Sequence, residues 1–514
     1  MTDVPLHNKN INSLLIRAAV SGDLQAVEFC LNSGADITAS KNSNGTPLRH
    51  AVKHNHFEVA ELLINRSLVV DAEACTELAL RYLYFHPDVV NKQRRAFELT
   101  TIAEEHNGLA ARRNLGILYI DGIGVTQNQL KGFQLLEKAA NQGDSLAQKR
   151  LGTIFFYGQG TNQDYQQSFK WFRKSAKQGE PESQKFLSLH YYNGLGIRQD
   201  YTLAKQWCKK SAINGNPIAM ASLGAIYLQG DAGEKNIPKA FHWVEKALKL
   251  DPENPDSLYL LGYLYMKESE EYAKGLVLIT KAKDLGNRKA RQYLNDFFNN
   301  VRSGTLEFSS ILRNLLEATK RKNARIYRLL GTLYTYGIGV EKNYAVAIFF
   351  LKKAATRNDA HALNQLSYVY SKLGKYQHAF TCTEKAANQG LAQAQNNLGI
   401  MHLDGIGTER STSNAVFWLQ KAAEQNNDSA LNELAIMYME GKILEQNHYK
   451  AFNCFMKAAL SGNSSAQYSL GFMFINGTGT APDEIKAIHW FTSAEKAGNP
   501  HAQQQLRKMN IQHG

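Results

Sequence analysis

Residues 330–355 read LGTLYTYGIGVEKNYAVAIFFLKKAA, and this stretch predicts a helix hairpin. Tyr334 follows Leu330 by four residues, so both side chains lie on one face of a helix. The Gly-Ile-Gly that comes next allows the positive φ angles with which a helix ends and the chain reverses. Asn343 then stands where the N-cap of a second helix is expected.

The same pattern returns about every 36 residues along most of the chain. The Leu-Gly pair that opens it stands at Leu115, Leu151, Leu223, Leu261, Leu330, Leu398 and Leu470. Variants of the pair fill gaps at Leu187, Leu366 and Leu434, and Leu294 marks a degenerate copy. A small residue stands 17 residues after the leucine. All five tryptophans of the chain stand 20 residues after it, at Trp171, Trp207, Trp243, Trp418 and Trp490. We expect the tryptophan to fill the gap between neighbouring hairpins.

A single hairpin of this kind cannot bury its apolar face, so the hairpins have to stack. The sequence therefore predicts an all-α fold, an α-solenoid superhelix of stacked helix hairpins. The pattern resembles the Sel1-like repeat, a relative of the tetratricopeptide repeat, over roughly residues 75–514. Two stretches depart from it. Residues 366–390 lack the Gly-x-Gly loop and resemble a tetratricopeptide unit, and residues 281–328 match the pattern least.

The first 75 residues follow a different pattern. NGTPLRHA at residues 44–51 and HFEVAELLI at residues 56–64 resemble the ankyrin repeat, with an earlier copy at Leu14–Asp36. Two ankyrin copies are too few for stability, so we expect them to stack on helices predicted at Glu73–Leu80 and Arg94–His106 and to continue into the Sel1-like repeats. The predicted domains are ankyrin repeats at 1–74, a first Sel1-like array at 75–300, and a second array of Sel1-like and tetratricopeptide-like repeats at 301–514, which ends in the capping helix His501–Met509.

Composition and motifs point away from an enzyme, a metal site or a membrane span. The five cysteines lie far apart without a CxxC pair, and no stretch approaches about 18 consecutive apolar residues. The Gly-x-Gly loops lack the third glycine and the strand of a dinucleotide fingerprint, so we interpret them as turns. His50, His54 and His56 lack further ligands at zinc spacing, and no catalytic constellation is found. We expect no catalysis, no cofactor and no bound metal.

Polar residues just before the leucine of the first helix form one candidate binding surface. By resemblance to tetratricopeptide scaffolds, this position faces the concave groove and can hold a peptide carboxylate. The residues here are Asn114, Arg150, Gln365 and Asn397, with Arg113 and Lys149 beside the first two. Arg150, one repeat after Asn114, is suited to charge-assisted hydrogen bonds with a carboxylate. The alternative is that these are ordinary solvated helix residues.

A second candidate surface is the basic segment 274–328. It contains 13 Lys and Arg residues against four Asp and Glu residues, a net charge of +9 out of +13 for the whole chain. Its core consists of Lys320, Arg321 and Lys322 together with Arg313, Arg325 and Arg328. The segment is either a patch for an acidic protein segment, a nucleic acid or a membrane surface, or a solvated helical face. Nucleic acid is disfavoured because the aromatic residues mostly fall at buried repeat positions.

These features predict a non-catalytic scaffold or adaptor that binds another protein or peptide on the concave surface of the solenoid. The combination of ankyrin and Sel1-like repeats resembles that of bacterial proteins that meet eukaryotic hosts. The N-terminal MTDVPLHNKN lacks the regions of a secretory signal, so we expect a cytoplasmic protein or one delivered into a host cell without a cleaved signal peptide. The alternatives are a recruitment subunit of an enzyme or toxin system, and anion or nucleic-acid binding through residues 274–328. The sequence leaves the oligomeric state open.

Overall fold

The protein is described by a computed structural model that covers residues 4–40, 45–67, 69–85, 90–269, 271–304 and 308–509. Within these ranges the regular elements are 29 α-helices and one 3-10 turn, so the all-α prediction is confirmed. The chain divides into two compact units, Met1–Leu260 and Leu261–Gly514. The sequence-based boundaries at residues 74 and 300 divide the ankyrin repeats from the first Sel1-like array and that array from the second, and they stay predictions.

The helices have the following bounds. The first unit contains α1 (Val4–Ser21), α2 (Leu24–Asn32), α3 (Pro47–Lys53), α4 (Phe57–Arg66), α5 (Ala72–Phe85), α6 (Val90–Glu105), α7 (Leu109–Asp121), α8 (Gln129–Asn141), α9 (Ser145–Tyr157), α10 (Tyr165–Lys177), α11 (Pro181–Asn193), α12 (Tyr201–Ile213), α13 (Pro217–Gln229) and α14 (Ile237–Leu250). Helix α15 (Pro255–Glu268) contains the division. The second unit contains α16 (Tyr272–Asp284), α17 (Arg288–Arg302), α18 (Ser309–Ala318), the 3-10 turn Thr319–Arg321, α19 (Ala324–Tyr336), α20 (Tyr344–Ala355), α21 (Ala360–Lys372), α22 (Tyr376–Asn388), α23 (Ala392–Asp404), α24 (Thr412–Glu424), α25 (Asp428–Glu440), α26 (His448–Leu460), α27 (Ser464–Asn476), α28 (Glu484–Lys496) and α29 (Ala502–Lys508).

Successive helices pack as hairpins, and each hairpin packs on the next. In the first unit the pairs run from α5 with α6 to α13 with α14, and in the second unit from α19 with α20 to α27 with α28. The second helix of one pair contacts the first helix of the following pair, as in α8 with α9 and α22 with α23. The predicted solenoid of stacked hairpins is therefore confirmed.

The ankyrin helices α1–α4 share one hydrophobic core with the first Sel1-like hairpin. Leu15, Val27 and Val59 from the ankyrin segment belong to the same buried cluster as Leu78 of α5 and Leu99 of α6. Helix α3 packs directly on α5. The expected stacking of the two ankyrin copies on this hairpin is confirmed, and it gives them the partner that two repeats lack on their own.

The predicted ends of the helices are confirmed by their capping groups. The Asn343 side chain caps α20 by accepting a hydrogen bond from the Val346 amide, and Asp200 caps α12 in the same way. Gly337 ends α19 with a φ angle of 65°, in the left-handed region. The small residues 17 positions after the leucine are fully buried where the hairpin helices meet. They are Ser168, Ala204, Ala240, Ala347, Ala415, Ala451 and Ala487.

The tryptophan packs between neighbouring hairpins, as predicted, since Trp171 on α10 belongs to one buried cluster with Leu136 on α8 of the preceding hairpin. Trp171 is buried, but the other four tryptophans are only half-buried. The space opposite the glycine of each Leu-Gly pair is taken by the residue after the tryptophan position. A Cβ on Gly152 would lie 2.8 Å from the ring of the fully buried Phe172, and one on Gly471 would lie 2.5 Å from that of Phe491. The glycine therefore makes room for a large side chain from the partner helix.

The array changes its packing where the sequence matched the pattern least. Here α18 packs against α16 and α19, and the 3-10 turn Thr319–Arg321 joins α18 to α19. Lys322, just after this turn, has a positive φ of 53°. The degenerate copy at Leu294 lies in α17, where this leucine is buried. The predicted tetratricopeptide-like stretch 366–390 falls in the hairpin of α21 and α22, whose helices are joined by the short connection 373–375.

Candidate binding surface

Arg113 and Lys149, two of the predicted binding residues, join neighbouring repeats through ion pairs. Arg113 Nη1 donates to Asp144 Oδ2 at 2.9 Å, and Lys149 Nζ lies 3.3 Å from Glu180 Oε1. Each of these carboxylates also caps the first helix of the following repeat. Burial alone would lower the pKa of Lys149, but the carboxylates of Glu182 and Glu180 outweigh it and raise this pKa. Both cations are therefore committed to contacts between hairpins.

Asn114 and Arg150 lie one repeat apart, as the sequence predicted, but Arg150 already has an acidic partner. Its Nη2 lies 3.3 Å from Asp121 Oδ1, on the hairpin before it. Asn114 Oδ1 accepts a hydrogen bond from Arg113 Nε at 3.1 Å. The Nδ2 group of Asn114 is buried and has no hydrogen-bond partner among the described residues. A partner that reached this amide would satisfy a donor that is costly to leave unpaired.

Gln365 and Asn397 line one open cavity of about 380 Å³, which we call the amide cavity. Asn397 Nδ2 donates to Asn364 Oδ1 at 3.0 Å, and Gln393 Nε2 donates to Asn397 Oδ1 at 3.1 Å. Thr332 Oγ1 donates to Gln365 Oε1 at 3.1 Å. The Nε2 group of Gln365 donates no hydrogen bond to any residue that the structure describes. The cavity is also lined by three hydroxyl side chains and by larger aromatic and apolar ones: Ser367, Ser371, Thr383, Tyr336, Tyr368, Ile400, Met401 and Ile406.

Arg328 does not belong to an exposed basic patch, which corrects the description of segment 274–328. Its side chain is 5% exposed and lies between two carboxylates. Its Nη1 donates to Asp284 Oδ1 at 3.0 Å, and its Nε lies 3.0 Å from Asp359 Oδ2. Burial alone would raise the pKa of Asp284, but the hydrogen bond from Arg328 outweighs it and the pKa is lowered. Arg325, 35% exposed, adds a longer contact of 3.7 Å to Asp284.

The remaining predicted cations, Arg313 and the three neighbours Lys320, Arg321 and Lys322, are exposed. Lys320 lies 3.7 Å from Glu317. Arg321 and Lys322 form no ion pair with any residue that the structure describes. Arg321 lines two adjoining cavities, whereas Lys322 lines neither of them. The structure thus separates these three neighbours into different environments.

Sequence reasoning missed a set of buried glutamines that join the repeats. Gln148, three residues before the key leucine, donates to Ala140 O at 2.8 Å and accepts from Gln178 Nε2 at 2.9 Å. Equivalent glutamines stand at Gln184, Gln395 and Gln467. The signal was present, since each of these glutamines stands at the same distance from its leucine. Their amides satisfy carbonyl groups at helix ends, which would otherwise be buried without partners.

Two of the histidines, His56 and His190, have structural hydrogen-bond partners. His56 Nε2 lies 3.0 Å from Val20 O, which connects the start of α4 to α1 within the ankyrin segment. His190 is fully buried, with its Nδ1 2.7 Å from Leu195 O and its Nε2 3.1 Å from Ser168 Oγ. Burial lowers the pKa of His190 and favours the neutral ring. Among the described residues no group of three or more His, Cys, Asp or Glu side chains is arranged to hold a metal ion. None of the described helices has both the length and the apolar character of a membrane span.

The fold and these contacts define an α-solenoid repeat protein, in which ion pairs and amides connect successive hairpins and open cavities lie along them. The chain belongs to the Sel1 repeat family. The family model for the Sel1 repeat matches residues 72–107, 109–144, 145–180, 181–216, 217–252, 255–287, 327–359, 360–391, 392–427, 428–463 and 464–499. The model for ankyrin repeats (many copies) matches residues 15–64. Both predicted resemblances are confirmed, and the Sel1 matches leave out residues 288–326, inside the segment predicted to match least.

Solved structures and a curated protein show further similarity. A protective antigen of uropathogenic Escherichia coli with an SLR fold is 27% identical, covering 88% of this chain and 98% of that chain, with a TM-score of 0.43. A Sel1 repeat protein from Oxalobacter formigenes is 24% identical over 73% of this chain and 89% of that one, with a TM-score of 0.31. The Drosophila melanogaster transient receptor potential cation channel subfamily A member 1 is 27% identical over 124 residues. That match covers 22% of this chain and 10% of the channel, so the chain spans about a tenth of this curated relative's length.

Proposed function

We propose that this chain is a non-catalytic adaptor that binds a segment of another protein at the amide cavity. Sel1 repeat proteins are generally protein-interaction scaffolds. The observation that supports this site is that Gln365 and Asn397, which come from two successive repeats, line the same open cavity. Side-chain amides carry both donors and acceptors, so they match the N–H and C=O groups of an extended peptide.

The chemistry of the cavity favours a peptide over a small charged ligand. No Lys, Arg, Asp or Glu stands among its lining residues, whereas Asn364, Gln365, Gln393 and Asn397 supply amides. The Nε2 group of Gln365 is available as a donor, because only its Oε1 is engaged within the described residues. Tyr336 and the apolar walls would accommodate a side chain of the bound segment. The volume of about 380 Å³ lies in the range of sites that bind compact ligands.

In the first unit, Asn114 provides a second, smaller contact in this proposal. Its unpaired Nδ2 group is suited to a backbone carbonyl of the bound protein. Arg150 would bind a carboxylate only by exchanging its present contact with Asp121. We extend the proposal to a bacterial protein that acts on or in a host, on the basis of the combination of ankyrin and Sel1 repeats.

The proposal is tested by affinity capture from bacterial and eukaryotic lysates, followed by titration of each captured protein in a calorimeter. The variant is Gln365→Ala with Asn397→Ala. The control is Ser222→Ala, because Ser222 stands at the same repeat position, is exposed and lines none of the cavities described above. Loss of two hydrogen bonds of about 1 kcal/mol each predicts roughly a tenfold or greater rise in Kd for the double variant.

Three outcomes decide the proposal. A protein partner that binds the control like the original chain and the double variant more weakly supports it, and a partner found only in the eukaryotic lysate supports action in a host. Equal binding to both variants contradicts the site. Capture of nucleic acid alone, lost as salt is raised, contradicts the adaptor function.

A further inference from the structure

Two adjoining cavities open where the array changes its packing, and together we call them the junction cleft. Their volumes are about 320 and 440 Å³, and they share Ala273, Lys274, Ala318 and Arg321. The cleft lies between α16 on one side and the end of α18 with the 3-10 turn on the other. It shares no lining residue with the amide cavity, so it is a separate site in the second unit.

The floor of the larger cavity is aliphatic. Leu261, Val277, Leu278 and Ile326 line it, together with the ring of Tyr265. Val277 and Leu278 are half-buried, so their side chains are within reach of an occupant. Burying branched aliphatic side chains against this floor would remove apolar surface from water on both partners, which is favourable.

The rim carries one cation whose charge is not balanced. Lys274 pairs with Glu271, and Lys320 lies 3.7 Å from Glu317, so each of these two lysines has a carboxylate beside it. Arg321 is exposed and has no ion pair among the described residues. It lines both cavities and therefore stands beside the aliphatic floor. A planar guanidinium in this position is suited to a carboxylate, which it can bind through two parallel hydrogen bonds.

We infer that the junction cleft binds an acidic peptide segment in which an Asp or Glu side chain stands next to a branched aliphatic one. The carboxylate pairs with Arg321 and the aliphatic group occupies the floor formed by Val277 and Leu278. The surrounding segment 274–328, with its net charge of +9, attracts such a peptide. Phosphate and nucleic acid fit less well. Glu271 and Glu317 line the rim and repel a doubly charged phosphate more strongly than a single carboxylate, and the lining residues supply only two aromatic rings, those of Tyr265 and Tyr272, for stacking of bases.

The experiment selects from a random peptide library displayed on phage, on the full chain at 150 mM NaCl. The variant Arg321→Glu is compared with Lys322→Glu, which makes the same change of charge one residue away and outside the cleft. Both side chains are exposed, so we expect both variants to fold like the original chain. Peptides enriched on the original chain and on Lys322→Glu, but not on Arg321→Glu, are expected to carry Asp or Glu beside Leu, Ile or Val.

The best selected peptide is then synthesised with a fluorophore and titrated by anisotropy. We expect Arg321→Glu to raise Kd about tenfold or more, because a charge-assisted hydrogen bond is lost and a like charge replaces it. Serine in place of the aliphatic residue of the peptide should also weaken binding. The Gln365→Ala with Asn397→Ala variant should bind this peptide like the original chain, which separates this site from the amide cavity.

Three results overturn the inference. They are equal enrichment on Arg321→Glu and the original chain, enriched peptides without acidic residues, and displacement of the peptide by a single-stranded oligonucleotide with a steep dependence on salt.

Discussion

The guanidinium of Arg328 is held between two carboxylates that stand at the ends of other helices. Asp284 ends α16, and Asp359 caps α21, so the arginine on α19 connects three helices next to the junction cleft. A cation with 5% of its side chain exposed has lost most of its hydration, and only these two partners compensate for that loss. The arginine therefore acts as a structural link in the part of the array where the repeat pattern is weakest.

Replacing Arg328 with methionine should destabilise the second unit by about 3–5 kcal/mol, because it leaves two buried carboxylates without a cation. Hydrogen exchange in α19 and α21, followed by mass spectrometry, measures the effect on local opening. The control is Arg321→Met, which removes an exposed arginine of the same segment and should leave exchange in these helices nearly unchanged. Equal protection of both helices in the Arg328→Met variant and the original chain would show that the pairing contributes little.

The role of a single cation was hard to predict from the sequence, because its partners are distant along the chain. Arg328 and Asp284 are 44 residues apart. One regularity was available, since Arg113 with Asp144 and Arg328 with Asp359 have the same separation along the chain. A count of charges in segment 274–328 put Arg328 and Arg321 in the same basic patch, whereas Arg328 is buried and Arg321 is exposed.

At the scale of elements, the second glycine of each Gly-x-Gly loop has a role beyond the turn. A Cβ on Gly407 would collide with the backbone carbonyl oxygen of Tyr376, at the start of α22 in the preceding repeat. Its φ angle of 69° is also in the left-handed region. The loop therefore forms part of the contact between repeats, and no side-chain rotation can relieve a collision with backbone atoms.

Gly407→Ala and Gly374→Ala are a matched pair that separates these two effects. Gly374 has nearly the same φ, 68°, but an added Cβ would meet no atom within 4 Å. Both changes should lower the free energy of unfolding by about 1 kcal/mol, because alanine disfavours the left-handed backbone. Gly407→Ala should lower it by roughly a further 1–3 kcal/mol, because the added Cβ overpacks the contact between repeats. Urea unfolding followed by circular dichroism measures both variants. Equal urea midpoints for the two variants would mean that α22 shifts away from the added methyl group without a loss of stability.

The elements themselves could be predicted from the sequence because each depends on local chemistry. Caps such as Asn343 and turn glycines such as Gly337 act within a few residues, so their positions fix where helices begin and end. Which side chain fills the space between helices depends on the partner helix as well. The sequence placed Trp171 between hairpins, as the structure has it, but it did not single out the adjacent Phe172, which lies against Gly152 inside the hairpin.

At the scale of the whole molecule, repetition made the order of stacking predictable but not the places where cavities open. The amide cavity contains Gln365 and Asn397, which the repeat register singled out in advance. The junction cleft also contains Leu278 and Ile326, which nothing in the pattern distinguished. This cleft lies where the regular packing is interrupted, and the sequence indicated only that residues 281–328 depart from the repeat.

In a stacked array, a destabilising substitution should affect mainly the neighbouring repeats, because each repeat is stabilised mainly by its neighbours. Leu99 is fully buried on α6, in the core that α5 and α6 share with the ankyrin helices, and Leu223 is equally buried on α13 in a different cluster of the same unit. Leu99→Ala should lower the free energy of unfolding by about 2–5 kcal/mol and increase hydrogen exchange in α3 and α4. Leu223→Ala should lower it by a similar amount but leave the amides of α3 and α4 protected. If both substitutions exposed the ankyrin helices equally, the first unit would open as a single cooperative block. If neither did, the ankyrin helices would be stable without their Sel1 neighbour, and the shared core would not be what holds them folded.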